Sequence, residues 1–596
     1  MAAMATKVGA DSRAVAPLEL VDFGLGPYLN QVPSPRFPVY TRGNAGEVYP
    51  EVVFPLSMTM FTEMGTEAGR EAALRSGLIT GKEVDELTAG GGIFGGYMYL
   101  NLSLARVIAV RTPGASVAEI DATYLGSEDV APPHVSHPSD RNLWATLRGI
   151  RYALRLIGAR SLPVLDHQRA AVEAWRQALP DLTTATDDEL VAVLDGAVPH
   201  LVAIYAEHLA ISGAAGLGVN LLRRSCEALL GDGSVALELL SGIGGVSSAE
   251  PSHALWDLGR MVAADPALGA AFDAGLDGLA DRLAVDPAAE AFCAAFEEFL
   301  KRHGCRGPNE WEMACEVWGT DLSLPLTLVD RMRQADDDHD PRKRAAQLSD
   351  RRRELLVDIR GRLRRGKSRR LERDLRCAVL YSRGREEAKT LLVEIIHDCR
   401  LAARELGRRL AERSGGRPDD LWFVTAEELD DFRDDPAAFT DLVDSRRATR
   451  DALAELEPPF TFSGEVPPVS TWARRSDVQG SDIAVGTVLS GIPGCSGIAR
   501  GRARVVTDPS DPGDLGPGDV LVAPLTDPAW TPLFVPADAV VVDVGGQLSH
   551  AVIVSRELGL PCVVSATGAS RTIPDGSLIE VDGMAGTVTI VAMPGG

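Results

Sequence analysis

Ala539-Val540-Val541-Val542-Asp543-Val544-Gly545-Gly546-Gln547-Leu548-Ser549-His550-Ala551-Val552-Ile553-Val554-Ser555-Arg556-Glu557-Leu558-Gly559 is the stretch on which the fold turns. The apolar run at 539–542 predicts a buried strand, and the Gly-Gly pair breaks it. Ser549 is a favourable helix N-cap, and Gly559 is a favourable stop after Leu558. His550 is therefore expected at the first turn of a helix, at the carboxyl end of a strand. A helix start offers unpaired N–H groups and partial positive charge, which suit a phosphate. The same field lowers an imidazole pKa and keeps the ring neutral and nucleophilic. A histidine placed this way can accept a phosphoryl group and hold it.

Further along the chain on either side, short Val-rich runs alternate with Gly, Pro and Asp over residues 485–596. Ala503–Val506, Asp519–Val522, Cys562–Val564 and Leu578–Val581 are examples. Together with the helix after His550 they predict a small α/β domain. Residues 458–484 contain Pro458-Pro459 and Pro467-Pro468 among small polar residues and are expected to be a flexible linker, either a tether for the His550 domain or a plain spacer. Residues 36–457 are expected to be mainly helical, with a possible subdivision near 335 and a strongly helical part from 336. Residues 1–35 form a weakly patterned lead-in.

The 596 residues are enough for several domains. The formal net charge of −24 opposes non-specific nucleic-acid binding, which needs a basic field. Eight cysteines, without CxxC or Cys/His ligand spacing, suit reduced buried thiols and a cytoplasmic location, and no metal site is expected. No signal-like segment is seen, and the apolar stretch from Ile93 to Val110 is interrupted by Asn101 and Arg106, so no membrane span is expected.

Two glycine motifs invite nucleotide readings. Gly361-Arg362-Leu363-Arg364-Arg365-Gly366-Lys367-Ser368 satisfies GxxxxGK[ST], but charged residues at helical spacing precede it instead of an apolar strand. Gly90-Gly91-Gly92-Ile93-Phe94-Gly95 fits GxGxxG but does not follow a convincing strand. Neither is expected to bind a nucleotide. The basic run from Arg342 to Arg376 is either a solvated helical face or a surface turned toward phosphate or a partner. Arg383, Arg385 and Lys389 follow it, and the Arg385/Lys389 spacing puts that pair on one helical face. The pair suits a clamp on a transferring phosphoryl group, or surface salt bridges with Glu386 or Glu387. The other nine histidines read as structural or exposed.

The His550 stretch resembles the phosphohistidine signature of the swivelling domain in phosphoenolpyruvate synthases, pyruvate phosphate dikinases and rifampin phosphotransferases. Thr526-Asp527-Pro528-Ala529-Trp530-Thr531-Pro532-Leu533-Phe534 upstream and Val581-Asp582-Gly583-Met584-Ala585-Gly586-Thr587-Val588 downstream extend the likeness. Tyr40-Thr41-Arg42-Gly43-Asn44-Ala45-Gly46-Glu47-Val48-Tyr49-Pro50 resembles the opening of the rifampin phosphotransferase substrate domain. So do Tyr97–Asn101, Phe299–Glu310 and Arg385–Lys389 with Arg400 and Glu405-Leu406-Gly407. The resemblance implies a mainly α-helical substrate-binding domain followed by a small α/β swivelling phosphohistidine domain. It implies that His550 takes a phosphoryl group from ATP and passes it to a hydroxyl of a small, fairly apolar molecule. Thr531 and Ser549 would hydrogen-bond the phosphohistidine beside Gly545 and Gly546, and Arg385, Lys389 and Arg383 would stabilise the acceptor side. Family members of this kind begin with an ATP-grasp domain. The sequence upstream of Tyr40 is too short for one, so ATP and Mg²⁺ are expected on a separate ATP-grasp partner chain. The alternative is a catalytically inactive binding or regulatory relative.

Overall fold

The computed structural model describes residues 32–86, 91–125, 132–245, 247, 250–477, 483–509, 511–527, 530–547 and 549–595. Most of the expected lead-in, residues 478–482 of the expected linker, and Pro528, Ala529 and Leu548 of the quoted motifs lie outside these.

Two long helices carry the middle of the chain. Helix α4 (Asp187–Leu230) starts at a capping box, in which the Thr186 side chain accepts from the Glu189 N–H, and its first turn holds Asp187, Asp188 and Glu189. Acidic residues there complement the exposed N–H groups. Helix α9 (Arg365–Ser414) ends at Gly415, whose φ of 75° is the left-handed C-cap that glycine takes without strain. The two pack side by side. Leu190, Leu194 and Leu201 share one core with Leu391, Leu392, Ile395 and Ile396. Backbones come close where Gly218 faces Ala378, since a Cβ on Gly218 would lie 2.8 Å from the Ala378 Cα. By length and composition α4 is apolar enough to cross a membrane; here its apolar side is packed against α9. Helix α8 (Pro341–Arg362) and the first turns of α9 carry the basic run as a mostly exposed face, with ion pairs such as Arg342–Asp257 and Arg360–Glu372. The GxxxxGK[ST] match falls on the corner between these helices, with Gly366, Lys367 and Ser368 already inside α9.

A four-stranded antiparallel sheet flanks this bundle. Its strands are β1 (Val39–Thr41), β2 (Gly91–Phe94), β3 (Tyr97–Asn101) and β4 (Thr461–Ser463), in the order β2-β3-β1-β4. Gly91 to Gly95 of the GxGxxG match thus lie in a hairpin, turning at Gly95 and Gly96 with φ of 57° and 78°, as tight hairpin turns require, and Gly90 lies outside the described residues. The expected flexible linker is corrected here. Its first part is a folded strand in this sheet, with Tyr40 opposite Phe462, and Trp472 is buried beneath the hairpin. Proline content suggested a tether, but aromatic residues at 462 and 472 bury enough apolar surface to fix the segment.

The C-terminal region is an eight-stranded sheet. Its strands are β5 (Val488–Ser490), β6 (Ile492–Cys495), β7 (Ile498–Val505), β8 (Asp519–Ala523), β9 (Ala539–Val542), β10 (Cys562–Val564), β11 (Leu578–Asp582) and β12 (Thr587–Ala592), in the order β5-β12-β11-β7-β8-β9-β10-β6. Strands β7 to β10 run parallel and the outer ones antiparallel. Parallel strands are covered on both faces, which explains why β8 and β9 read as continuous apolar runs. One face packs on its own residues, such as Val520, Val541 and Ile579. The other shares a core with helices α5 (Glu250–Ala264), α6 (Glu290–His303) and α7 (Ser323–Gln334), through Leu255, Phe292 and Val329 against Phe534, Val540 and Val552. The expected architecture, a large helical part followed by a small α/β domain, is present.

Candidate active site

His550 is the first residue of helix α10 (His550–Leu558), directly after the loop leaving β9. Thr526 and Thr531 follow the carboxyl end of the neighbouring parallel strand β8. The carboxyl ends of adjacent parallel strands are where open α/β sheets gather ligand chemistry. Thr531 Oγ1 lies 2.9 Å from His550 Nε2 and Thr526 Oγ1 lies 3.1 Å from Nδ1. A hydroxyl can donate or accept, so both faces of a neutral ring are satisfied. The ring is buried, 7% exposed, with the Phe534 ring edge-on beside it. Burial, then the charges of Lys389, Arg306 and Arg385, holds its pKa well below the ordinary value. The ring is therefore neutral, and the causes are burial and these cations, where the sequence pointed to the field of the helix start.

A cavity of about 50 Å³ opens beside the ring. Helix α9 supplies Arg385 and Lys389, helix α4 supplies His208, and the loop after α6 supplies Asn309, Glu310 and Trp311. Glu47 comes from the short helix α1 (Ala45–Val48). Arg385 donates to Glu386 Oε1 at 2.6 Å, and Lys389 Nζ sits 3.3 Å from Glu310 Oε1. Arg306 also donates to Glu310 Oε1, at 3.0 Å. The buried Arg400 donates to the carbonyls of Glu310, Glu312 and Met313 and so fixes that loop. Asn309 sits at φ 51° and its N–H donates to Asp527 Oδ2 at 3.1 Å, tying the loop to the His550 domain.

The sequence-predicted residues separate into groups. His550, Arg385 and Lys389 meet at the cavity, and Thr531 touches the ring. Gly546 packs against the middle region, where a Cβ would come within 3.0 Å of the Thr123 carbonyl oxygen. Gly545 is tight against Ser549 and Val564. Ser549 occupies the N-cap position, but its side chain makes no cap hydrogen bond and its Oγ is buried without a partner. The Glu47 carboxylate lies near the N–H groups of Gly546 and His550, which pull its pKa down against burial. Arg383 does not reach the cavity. It donates to the Gly244 carbonyl at 2.7 Å and to that of Ile243, while Glu557 of α10 accepts from the N–H groups of the same two residues, at 3.2 and 3.0 Å. This is a docking contact, since the loop it holds joins the middle helices to the His550 domain.

Glu47, Glu310, His208 and Thr526 escaped the sequence reading. His208, expected to be merely structural, lines the cavity. Its Nδ1 has no partner, and burial followed by Arg385 and Lys389 pushes its pKa down to about 3. A second cavity, about 290 Å³, lies at the far end of α9. Its carboxylates Asp420 and Asp444 are engaged by Arg417, and it holds no nucleophile comparable to His550.

Family models match in two places: the rifampicin phosphotransferase fourth domain over residues 207–386, and the mobile domain of PEP-utilising enzymes over residues 515–586. An uncharacterised protein of Mycobacterium tuberculosis is 31% identical over 585 residues, covering 94% of this chain and 62% of that protein. The prodigiosin synthesizing transferase PigC of Serratia marcescens is 27% identical, covering 92% and 63%. The rifampicin phosphotransferase of Streptomyces sviceus is 28% identical over 445 residues, covering 72% and 49%. The chain thus spans under two thirds of the length of these relatives. One match covers much of the helical middle and the other includes His550 itself, and the chain is a member of the rifampicin phosphotransferase and PEP-utilising enzyme family.

Proposed function

We propose that this protein is a phosphotransferase component in which His550 carries a phosphoryl group and gives it to a hydroxyl of a small, fairly apolar molecule bound by the helical middle region. The carrying observation is a buried, neutral imidazole at a helix start, opening on a cavity walled by Arg385 and Lys389. A neutral ring has a lone pair for phosphorus, and covalent carriage divides one transfer into two easier ones. Phosphoryl transfer depends on neutralising the charge of the moving group, which two cations on one helical face supply. Thr526 and Thr531 orient the ring, and the nitrogen that takes phosphorus gives up its threonine partner. The cavity leaves room at the ring for a small polar group such as a phosphoryl. The hydrocarbon part of an acceptor lies outside it.

ATP with Mg²⁺ is the proposed donor, held by an ATP-grasp chain. Among the described residues both glycine motifs are a helix corner and a hairpin, so neither fits a nucleotide. Incubation with labelled ATP and the ATP-grasp partner is expected to place acid-labile phosphate on the wild type and none on His550→Ala. Equal labelling of the variant overturns the proposal.

A further inference from the structure

Four carboxylates line the cavity beside His550, Glu47, Glu310, Glu386 and Asp527, and they are not equivalent. Glu386 pairs with Arg385 at 2.6 Å, Glu310 pairs with Arg306 and Lys389 at 3.0 and 3.3 Å, and Asp527 accepts from the Asn309 N–H at 3.1 Å. Glu47 has no such ion pair among the described residues. It lines the cavity near the N–H groups that open α10, and its Oε1 is buried with no partner. Two more unpartnered polar atoms line the same space: Glu310 Oε2 and Trp311 Nε1, on residues only 1% and 6% exposed. Buried polar atoms without partners are rare and mark where a polar ligand completes the bonding.

We propose that Glu47 is the base that takes the proton of the acceptor hydroxyl as the phosphoryl group leaves His550. This rests on His550 being the carrier. The phosphorylated ring, protonated on its other nitrogen, leaves as neutral imidazole with the electron pair of the N–P bond. Phosphorus bonds to the acceptor oxygen, the O–H bond breaks, and its proton passes to Glu47 and then to water. Charge and protons balance with no further reactant.

The surroundings single Glu47 out. Burial pushes its pKa up to about 7, against the opposing pull of Arg385, Lys389 and the two N–H groups, so it exchanges a proton near neutrality. From α4, His208 is held near 3 and is a poor base. From the His550 domain, Asp527 accepts from the Asn309 N–H, and His550 itself is the leaving group. Arg385 and Lys389 of α9 are cations, and Glu310 and Glu386 are anchored by cations.

The test loads His550 with phosphoramidate, removes excess donor, and follows loss of acid-labile phosphate with water and with phenol as acceptors. Wild-type transfer is expected to fall as pH is lowered through about 7, because a protonated carboxyl accepts nothing. Glu47→Gln is expected to load normally, transfer about 10²-fold more slowly and lose that pH limb. Glu47→Asp keeps a limb, which separates a proton-transfer role from a merely structural one. Transfer in Glu47→Gln at the wild-type rate with the same limb, or faster, overturns the inference. Failure of the wild type to load at His550 overturns the carrier role itself, and the inference with it.

Discussion

At the scale of single residues, His550 owes its neutral state to burial first and to three cations second. Lys389 is the first of those cations, so on the proposed function its charge acts twice: it keeps a proton off the ring and it faces the moving phosphoryl group. Lys389→Met is expected to raise the ring pKa, still below the ordinary value because burial remains. It is also expected to cut phosphoryl transfer about 10²-fold, the size of losing one preorganised charge at a developing anion. Ring NMR across a pH series and a chase of acid-labile phosphate measure the two effects. An unchanged transfer rate would remove Lys389 from the chemistry. His550 was legible because its signal is local: strand, glycines, helix start. Arg385 and Lys389 were legible because four residues on a helix share a face. Glu47, Glu310 and His208 were not, since each is brought in by a contact hundreds of residues away in sequence. Ser549 stands at the N-cap as the sequence suggests, but its hydroxyl is buried and makes no cap bond.

At the scale of elements, the helices announced themselves and the short antiparallel sheet did not. Periodic apolar residues and caps mark α4 and α9, whereas β4 is three residues long and pairs with a strand at the other end of the chain. Composition alone made residues 458–477 look like a tether. Their folded role makes a prediction. Gly95 turns the β2–β3 hairpin at φ 57°, and a Cβ there would run into the Trp472 indole. Gly95→Ala is expected to destabilise the protein by about 1–3 kcal/mol through overpacking and an unfavourable φ. Urea unfolding measures it. If residues 458–477 were a loose linker, Trp472 would move aside and the steric part of the cost would vanish; pairing Gly95→Ala with Trp472→Ala tests this, with partial recovery expected.

At the scale of the whole molecule, the His550 domain is docked by contacts separate from the chemistry. Glu557 accepts two N–H groups from the loop at Ile243 and Gly244, and Arg383 binds the carbonyls of the same loop. The Gly242 N–H donates to the Arg556 carbonyl at 2.9 Å, which closes the joint. These bonds are few and polar, while α4 and α9 share one apolar core and the His550 domain shares another with α5, α6 and α7, so the joint lies between these two units. Elements joined by few buried apolar contacts open at lower free energy than a core. A carrier that collects its phosphoryl group elsewhere must leave this dock, so the joint should open without unfolding the bundle. Glu557→Ala is expected to speed hydrogen exchange at the Ile243 and Gly244 amides, which lose their acceptor, and to leave the amides of α4 and α9 unchanged. On the proposed function His550 loads only when exposed to its donor, so the same variant should load faster and transfer more slowly, the opposite of what a damaged site would give. Slower loading together with slower transfer would mean that Glu557 supports the site itself and that the joint is not a hinge.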